Sequence, residues 1–183
     1  MTETIVDVDG VVDIAPTPVS AEAFKRAFRR HPGGVAVITA DPGDGPVALT
    51  LTSVASISAE PPLLFFSVSD LSSAAPSVLR SDTVVVHLLD ADRVDLAVLA
   101  ATSGIDRFAD RDAWTRLPSG EPRYLGVENW LRCRIVNRLI AGASTVMIAE
   151  VLETSTPDDE VRPPLVHHDR TWHRLSEASR MDG

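Results

Sequence analysis

The sequence predicts a mainly β domain with a few peripheral helices, an antiparallel barrel or sandwich rather than a doubly wound parallel sheet. Strand-like segments outnumber helical ones, and they cluster toward both ends of the chain instead of alternating with helices. The length, 183 residues, suits one domain with its own core. Hydrophobic residues make up 44% and charged residues 23%, an ordinary globular balance.

Residues 1–18 carry Glu3, Asp7, Asp9 and Asp13 and no cation, and read as a mobile acidic arm. The domain proper is expected over residues 19–176, with a flexible tail over 177–183. Ser20 is placed to cap a helix whose Ala23, Phe24, Ala27 and Phe28 share one face. His31-Pro32-Gly33-Gly34 ends it. Residues 35–40 read as a strand, 41–46 as a turn rich in Gly and Pro, and Val47 onward as a second strand. Residues 63–68 form a short apolar strand after Pro61-Pro62. Ser72 and Ser73 are placed to cap a helix reaching about Arg80, and 83–89 is a strand rich in β-branched residues. Residues 92–101 read as a helix capped by Asp92, and 103–126 as a polar, mostly looped stretch. Strands are expected at 130–136, 145–152, 165–168 and 172–175, with a flexible connection over 154–164.

The charge balance excludes some functions. Lys plus Arg is 17 against 26 for Asp plus Glu, a formal charge of −9. Nucleic-acid binding relies on neutralising many phosphates, so no nucleic-acid partner is expected. One small anion remains within reach of a few aimed donors. Lys25 is the one lysine, so such a site would use arginine, hydroxyls or backbone amides. The single cysteine, Cys133, rules out an intramolecular disulfide. No apolar run approaches the roughly 20 residues that span a bilayer, and the N-terminus lacks the basic start of a signal peptide. No membrane association is expected, and the expected compartment is the cytoplasm.

Several motifs give way to simpler readings. Gly43-Asp44-Gly45-Pro46-Val47-Ala48 matches the letters of a dinucleotide fingerprint, but a strand follows it where the fingerprint needs a helix. It is a hairpin turn. No zinc-ligand spacing occurs. No Gly-x-Ser-x-Gly elbow appears. Two hydroxyl-rich segments stand out. Thr50-Leu51-Thr52-Ser53-Val54-Ala55-Ser56-Ile57-Ser58 is either a strand with one wet face or a segment whose backbone and hydroxyl donors line a polar, planar ligand. Ser67-Val68-Ser69-Asp70-Leu71-Ser72-Ser73 lies at a strand-to-helix junction, either as a plain cap or as a phosphate cradle.

Order and spacing across residues 24–175 carry a family resemblance. The elements are Phe24-x-x-Ala27-x-x-x-x-His31-Pro32-x-Gly34-Val35 and Thr50-x-Thr52-Ser53-x-x-Ser56-x-Ser58-x-x-Pro61-Pro62-Leu63. Arg107-Phe108, Gly120-Glu121-Pro122 and Trp130 follow, then Pro164-Leu165-Val166-His167-His168 and Trp172-His173-Arg174-Leu175. The chain resembles the short-chain flavin reductases, which have an FMN-binding split β-barrel, antiparallel and Greek-key-like. Many of them supply reduced flavin to a partner monooxygenase.

The resemblance implies hydride transfer from NADH or NADPH to FMN or FAD. It implies a homodimer with a reduced-flavin-dependent monooxygenase as partner, contacted loosely or not at all. Thr50, Leu51, Thr52 and Ser53 would lie against the flavin ring. Ser67, Val68 and Ser69 would face the ribityl and phosphate side, with Ser72 and Ser73 as hydroxyl donors. Arg107 would add charge-assisted bonds to the phosphate, and Phe108 would pack near the flavin. Where many members carry Gly-Asp-His, with a histidine that seats the nicotinamide, this chain has Gly142-Ala143-Ser144. Ser144 therefore takes the nicotinamide-side position, and a non-catalytic flavin carrier or sensor is the alternative. A flavoprotein oxidase on the same barrel is a third reading.

Overall fold

The computed structural model describes residues 18–156 and 162–181. The expected acidic arm, except Pro18, lies outside the described residues, as do 157–161 of the expected flexible connection and the last two residues of the tail. The chain forms two compact units, one ending at His31 and one beginning at Pro32.

In the first unit, α1 (Ala21–Arg29) is capped as the sequence predicts, the Ser20 hydroxyl accepting from the Ala23 amide at 3.2 Å. Phe24 and Phe28 lie on one face with ring centroids 4.6 Å apart.

In the second unit, a seven-stranded sheet runs in the order β3 (Val47–Leu51), β2 (Ala36–Ala40), β6 (Thr83–Leu88), β9 (Trp130–Ala141), β10 (Ser144–Ser155), β5 (Leu63–Ser69), β4 (Ala55–Ser58). Every pairing is antiparallel. A smaller sheet joins β1 (Gly33–Gly34), β11 (Leu165–His168) and β12 (Thr171–Arg174). A third pairs β7 (Trp114–Arg116) with β8 (Pro122–Tyr124).

The order of the large sheet dictates its curvature. Its two edges, β3 and β4, are neighbours in sequence, joined by Thr52, Ser53 and Val54. Seven strands laid flat would hold those edges about 29 Å apart at the usual strand spacing. The chain from Leu51 to Ala55 reaches at most about 14 Å. The sheet is therefore rolled, its edges meeting at a seam where β3 and β4 do not pair with each other.

The inner face packs Ile38, Leu49, Leu64, Phe66, Val68, Val86 and Met147 into one core. α2 (Ala75–Arg80) adds Ala75 and Val78 to it. The outer face of β2 and β3 is covered by α3 (Val94–Ala101), with Val37, Ala48, Leu96, Phe108, Tyr124 and Leu165 forming a second core. β6, covered on both sides, buries four consecutive residues, as its unbroken Val-Val-Val run requires.

Four local readings change. Residues 50–58 are not one strand: β3 stops at Leu51 and β4 starts at Ala55, because closing the roll needs a break there. α2 starts at Ala75 without a side-chain cap; Ser72 accepts from Ala74 instead. Asp92 lies in a 3-10 turn, Ala91–Arg93, ahead of α3, and does not cap the helix. β9 and β10 are longer than expected because they form one hairpin that reaches beyond its neighbour β6.

Candidate functional site

The seam brings the two hydroxyl-rich segments together. The β4 ladder on β5 ends at Ala55 opposite Phe65, leaving the Ser67 backbone uncovered on that side. The Ser53 hydroxyl takes over, accepting from the Ser67 amide at 3.0 Å and donating to the Ser67 carbonyl at 3.3 Å. One side chain thus does what a strand would do. Thr52 and Val54 lie beside it, off both strands, where backbone groups are not committed to a ladder.

Gly33 sets the approach from the other side. A Cβ built on it would lie 2.9 Å from the Thr52 Cβ and 3.2 Å from the Thr52 carbonyl oxygen. Only glycine lets β1 run this close to the seam. Directly across the small sheet from Gly33 is His167, and across from His167 is Trp172, their rings 4.8 Å apart. Residues paired in this way share a face, so the aromatic pair stands on the same side as the Gly33 contact with Thr52.

The sequence-predicted residues divide by what their side chains do. The Thr50 hydroxyl is spent on the Ala97 carbonyl of α3 at 2.6 Å. Leu51 packs against the inner core and Val68 is fully buried in it, so Val68 has only its backbone to offer. Ser69 accepts from the Leu71 amide at 3.3 Å, forming a tight turn. Ser73 is exposed and accepts from Arg107 Nη2 at 3.2 Å, while Arg107 Nε donates to the Thr102 carbonyl at 3.1 Å. A cation 34 residues away in sequence thus meets the serine cluster. Phe108 lies in the outer core, 3% exposed, stacked on Tyr124 at 5.1 Å and 14°. Ser144 opens β10 directly opposite Ser69, and the Asp70 amide donates to the Ala143 carbonyl at 3.1 Å. The turn at Gly142, with φ +63°, is therefore tied to the end of the serine-rich strand.

These groups suit a flavin mononucleotide. Hydroxyls and a guanidinium at Ser72, Ser73 and Arg107 are chemically suited to an anion such as a phosphate, and backbone groups of residues 52–54, off both strands, are suited to the polar edge of a planar ring. Cys133 lies in the inner core, where burial pushes its thiol up to about 12 and keeps it protonated. Among the described residues, no group of three or more His, Cys, Asp or Glu side chains is placed to hold a metal ion, and no helix is long and apolar enough to cross a membrane.

Two residues escaped the sequence reading. Tyr124, the one tyrosine, sits in a stretch that reads as loop, yet is 1% exposed. His87 is fully buried in β6; its Nε2 accepts from the Tyr124 amide at 3.0 Å, so its Nδ1 carries the proton and donates to the Val37 carbonyl at 3.0 Å. Burial pushes the imidazole down to about 4, helped by the charges of Arg123 and Arg93 and opposed by the Val37 bond. A lone histidine in a β-branched run was the available signal of a satisfied interior imidazole.

Comparison with known proteins identifies the family. Residues 28–176 match the family model described as flavin reductase like domain. The chain is 35% identical over 171 residues to an NADH:FMN oxidoreductase of Rhodococcus qingshengii, covering 90% of this chain and 89% of that protein. It is 36% identical over 138 residues to an FMN reductase (NADH), RutF 2, of Methylorubrum extorquens, covering 74% of this chain and 80% of that one. The crystal structure of a flavin reductase domain protein from Arthrobacter sp. FB24 superposes with a TM-score of 0.81 at 33% identity, covering 90% of this chain and 99% of that one. BorF, the flavin reductase component of a bacterial two-component tryptophan halogenase, gives 0.77 at 28% identity, covering 86% of this chain and 99% of that one.

Proposed function

The chain belongs to the flavin reductase-like family, and from that membership we infer that it is an NAD(P)H:flavin oxidoreductase supplying reduced flavin to a partner enzyme. The flavin provides the redox chemistry; the protein supplies position, charge and shelter. The observation that carries the reading is the Arg107 contact with Ser73, beside strands that Ser53 ties together across the seam.

In this reading Ser72, Ser73 and Arg107 hold the flavin phosphate, and backbone groups of residues 50–53 hold the ring edge. Ser67, Val68 and Ser69 line the ribityl side, with Phe108 supporting from the outer core. FMN is the flavin and NADH the donor, following the names of the relatives. Ser144 marks the nicotinamide side. Hydride transfer needs close, aligned carbons more than it needs a proton donor, so the turn without imidazole costs positioning rather than chemistry. The rolled sheet is a split barrel, and the working unit is a homodimer. Beyond Ile135, whose amide donates to the Asp82 carbonyl, β9 has β10 as its strand partner among the described residues and leaves Val136, Leu139 and Ile140 exposed, which supports association. The partner is a monooxygenase or another enzyme that consumes reduced flavin, and the setting is the cytoplasm, where reduced nicotinamide is made.

Steady-state oxidation of NADH and NADPH with FMN, FAD and riboflavin in turn tests the reading. Flavin-dependent NADH oxidation is expected. Tight flavin binding with no oxidation of either nicotinamide would select the carrier reading, which the Gly142-Ala143-Ser144 turn favours. Neither binding nor oxidation would overturn both.

A further inference from the structure

We infer that Tyr124 is a positioning residue that fixes Arg107 for phosphate recognition; this rests on the assignment of Arg107 to the flavin phosphate. Arg107 stands in a stretch between α3 and β7 that has no regular structure, so no strand or helix ladder holds its backbone. What holds it is a short set of side-chain bonds. The Tyr124 hydroxyl donates to the Arg107 carbonyl at 2.7 Å. The Asp106 carboxylate accepts from the next amide, Phe108, at 2.9 Å. From that fixed backbone the guanidinium reaches Thr102 and Ser73.

Tyr124 is itself rigid. It belongs to β8, its amide is held by His87 Nε2, and its ring lies between Phe108 and the edge of His87, 5.8 Å away. Burial pushes its phenol well above the ordinary value, so the hydroxyl stays a donor. The sheet interior is thus connected to the Arg107 backbone through His87 and Tyr124. On the other side the stretch has room to move. A cavity of about 280 Å³ opens between α3 and residues 106–113, with Leu96, Leu99, Arg107 and Tyr124 among its walls. Without the hydroxyl, the Arg107 backbone can relax toward that space, and the guanidinium moves with it.

Tyr124→Phe tests this. It keeps the ring and its stack on Phe108 and removes one donor. FMN and riboflavin affinities are measured by fluorescence titration, with thermal unfolding as the control. FMN is expected to bind about three- to tenfold more weakly, riboflavin within about twofold of wild type, a split that a merely structural loss would not produce. In an Arg107→Ala background the same substitution should add no further loss for FMN, because the two residues act as one unit. Equal losses for FMN and riboflavin, an undiminished effect in the Arg107→Ala background, or no effect at all would overturn the proposal. Loss of the fold would overturn it too, since the hydroxyl would then be a structural necessity. A wild type that binds riboflavin as tightly as FMN would instead remove Arg107 from the phosphate, a failure of the underlying assignment.

Discussion

Removing the Arg107 guanidinium should separate FMN from riboflavin. A guanidinium carries five N–H donors. In the structure Nε bonds Thr102 and one Nη2 donor bonds Ser73, so three donors are left over for an anion. A hydrogen bond to a charged group contributes about 1.5–3 kcal/mol. Arg107→Ala should therefore raise the FMN dissociation constant about 10- to 150-fold. Riboflavin has the same ring and ribityl chain but no phosphate, and its affinity should hardly change. Arg107→Lys should fall between, because lysine keeps the charge and loses the fork. The assay is quenching of flavin fluorescence at low ionic strength, repeated in high salt, where the difference between the two flavins should shrink. Parallel losses for FMN and riboflavin would refute the reasoning and give Arg107 a structural role, through its bond to Thr102.

Ser144→His should lower the NADH KM or raise kcat/KM while leaving FMN affinity unchanged, since Ser144 lies at the turn and not at Arg107; unchanged nicotinamide kinetics in a folded variant would make Ser144 a turn residue only. Gly33→Ala should weaken FMN and riboflavin alike, because the new methyl would lie 2.9 Å from the Thr52 Cβ and 3.2 Å from its carbonyl oxygen, while Gly34→Ala, with nothing within 4 Å, should be silent; normal flavin binding by Gly33→Ala would show that the seam tolerates displacement. Acid should destabilise the fold through His87. Its pKa is about 4 folded against 6.5 as the ordinary value, so the unfolded chain binds more protons between those limits. The stability is complete above pH 6.5 and is lost as pH falls toward 4, by about 3 kcal/mol in all. Urea unfolding across that window should show a shallower slope in His87→Gln than in wild type, the remainder coming from carboxylates such as Glu121 whose pKa the fold lowers; equal slopes would clear His87 of the effect.

Much of this was legible in the sequence because the signals are local. Ser20 before an amphipathic run, the Gly- and Pro-rich turn after β2, and the β-branched run of β6 each specify their element without help from afar. The hydroxyl-rich segments were legible as composition but not as geometry. Residues 50–58 carry the strand formers Thr50, Thr52, Val54 and Ile57 within the break and on both sides of it, and nothing local marks Thr52–Ser53–Val54 as the place where the chain must leave one sheet edge and start the other. That break follows from the whole strand order. Tyr124 and His87 were illegible for the same reason: their partners lie 37 residues apart, and a buried polar pair announces itself only when both halves are in place. Pro76 at the start of α2 hid the helix boundary behind two serines that look like caps.

The fold and the site have one cause. A seven-stranded sheet rolled until its edges meet must end its ladders somewhere, and the edges here are joined by a link too short to form another strand. Backbone groups at such a seam are left without strand partners, a cost in a core but an asset beside a polar ligand. A seam lined by apolar residues would leave the Ser67 amide and carbonyl unsatisfied; Ser53 satisfies both with one hydroxyl and leaves its neighbours Thr52 and Val54 uncommitted. Within the hydroxyl-rich residues 50–58, Ser53 is thus the hydroxyl that closure itself uses, while Thr50 bonds α3 and Ser58 bonds the Glu60 carbonyl. Ser53→Ala separates the two roles. It should lower stability by about 1–3 kcal/mol, the cost of stranding a part-buried amide and carbonyl, and weaken FMN and riboflavin equally by loosening the seam. Chemical unfolding and flavin titration on the same variant read both effects. A stability loss with undisturbed flavin binding would show that closure and recognition are independent, and that the ring edge is held from β3 alone.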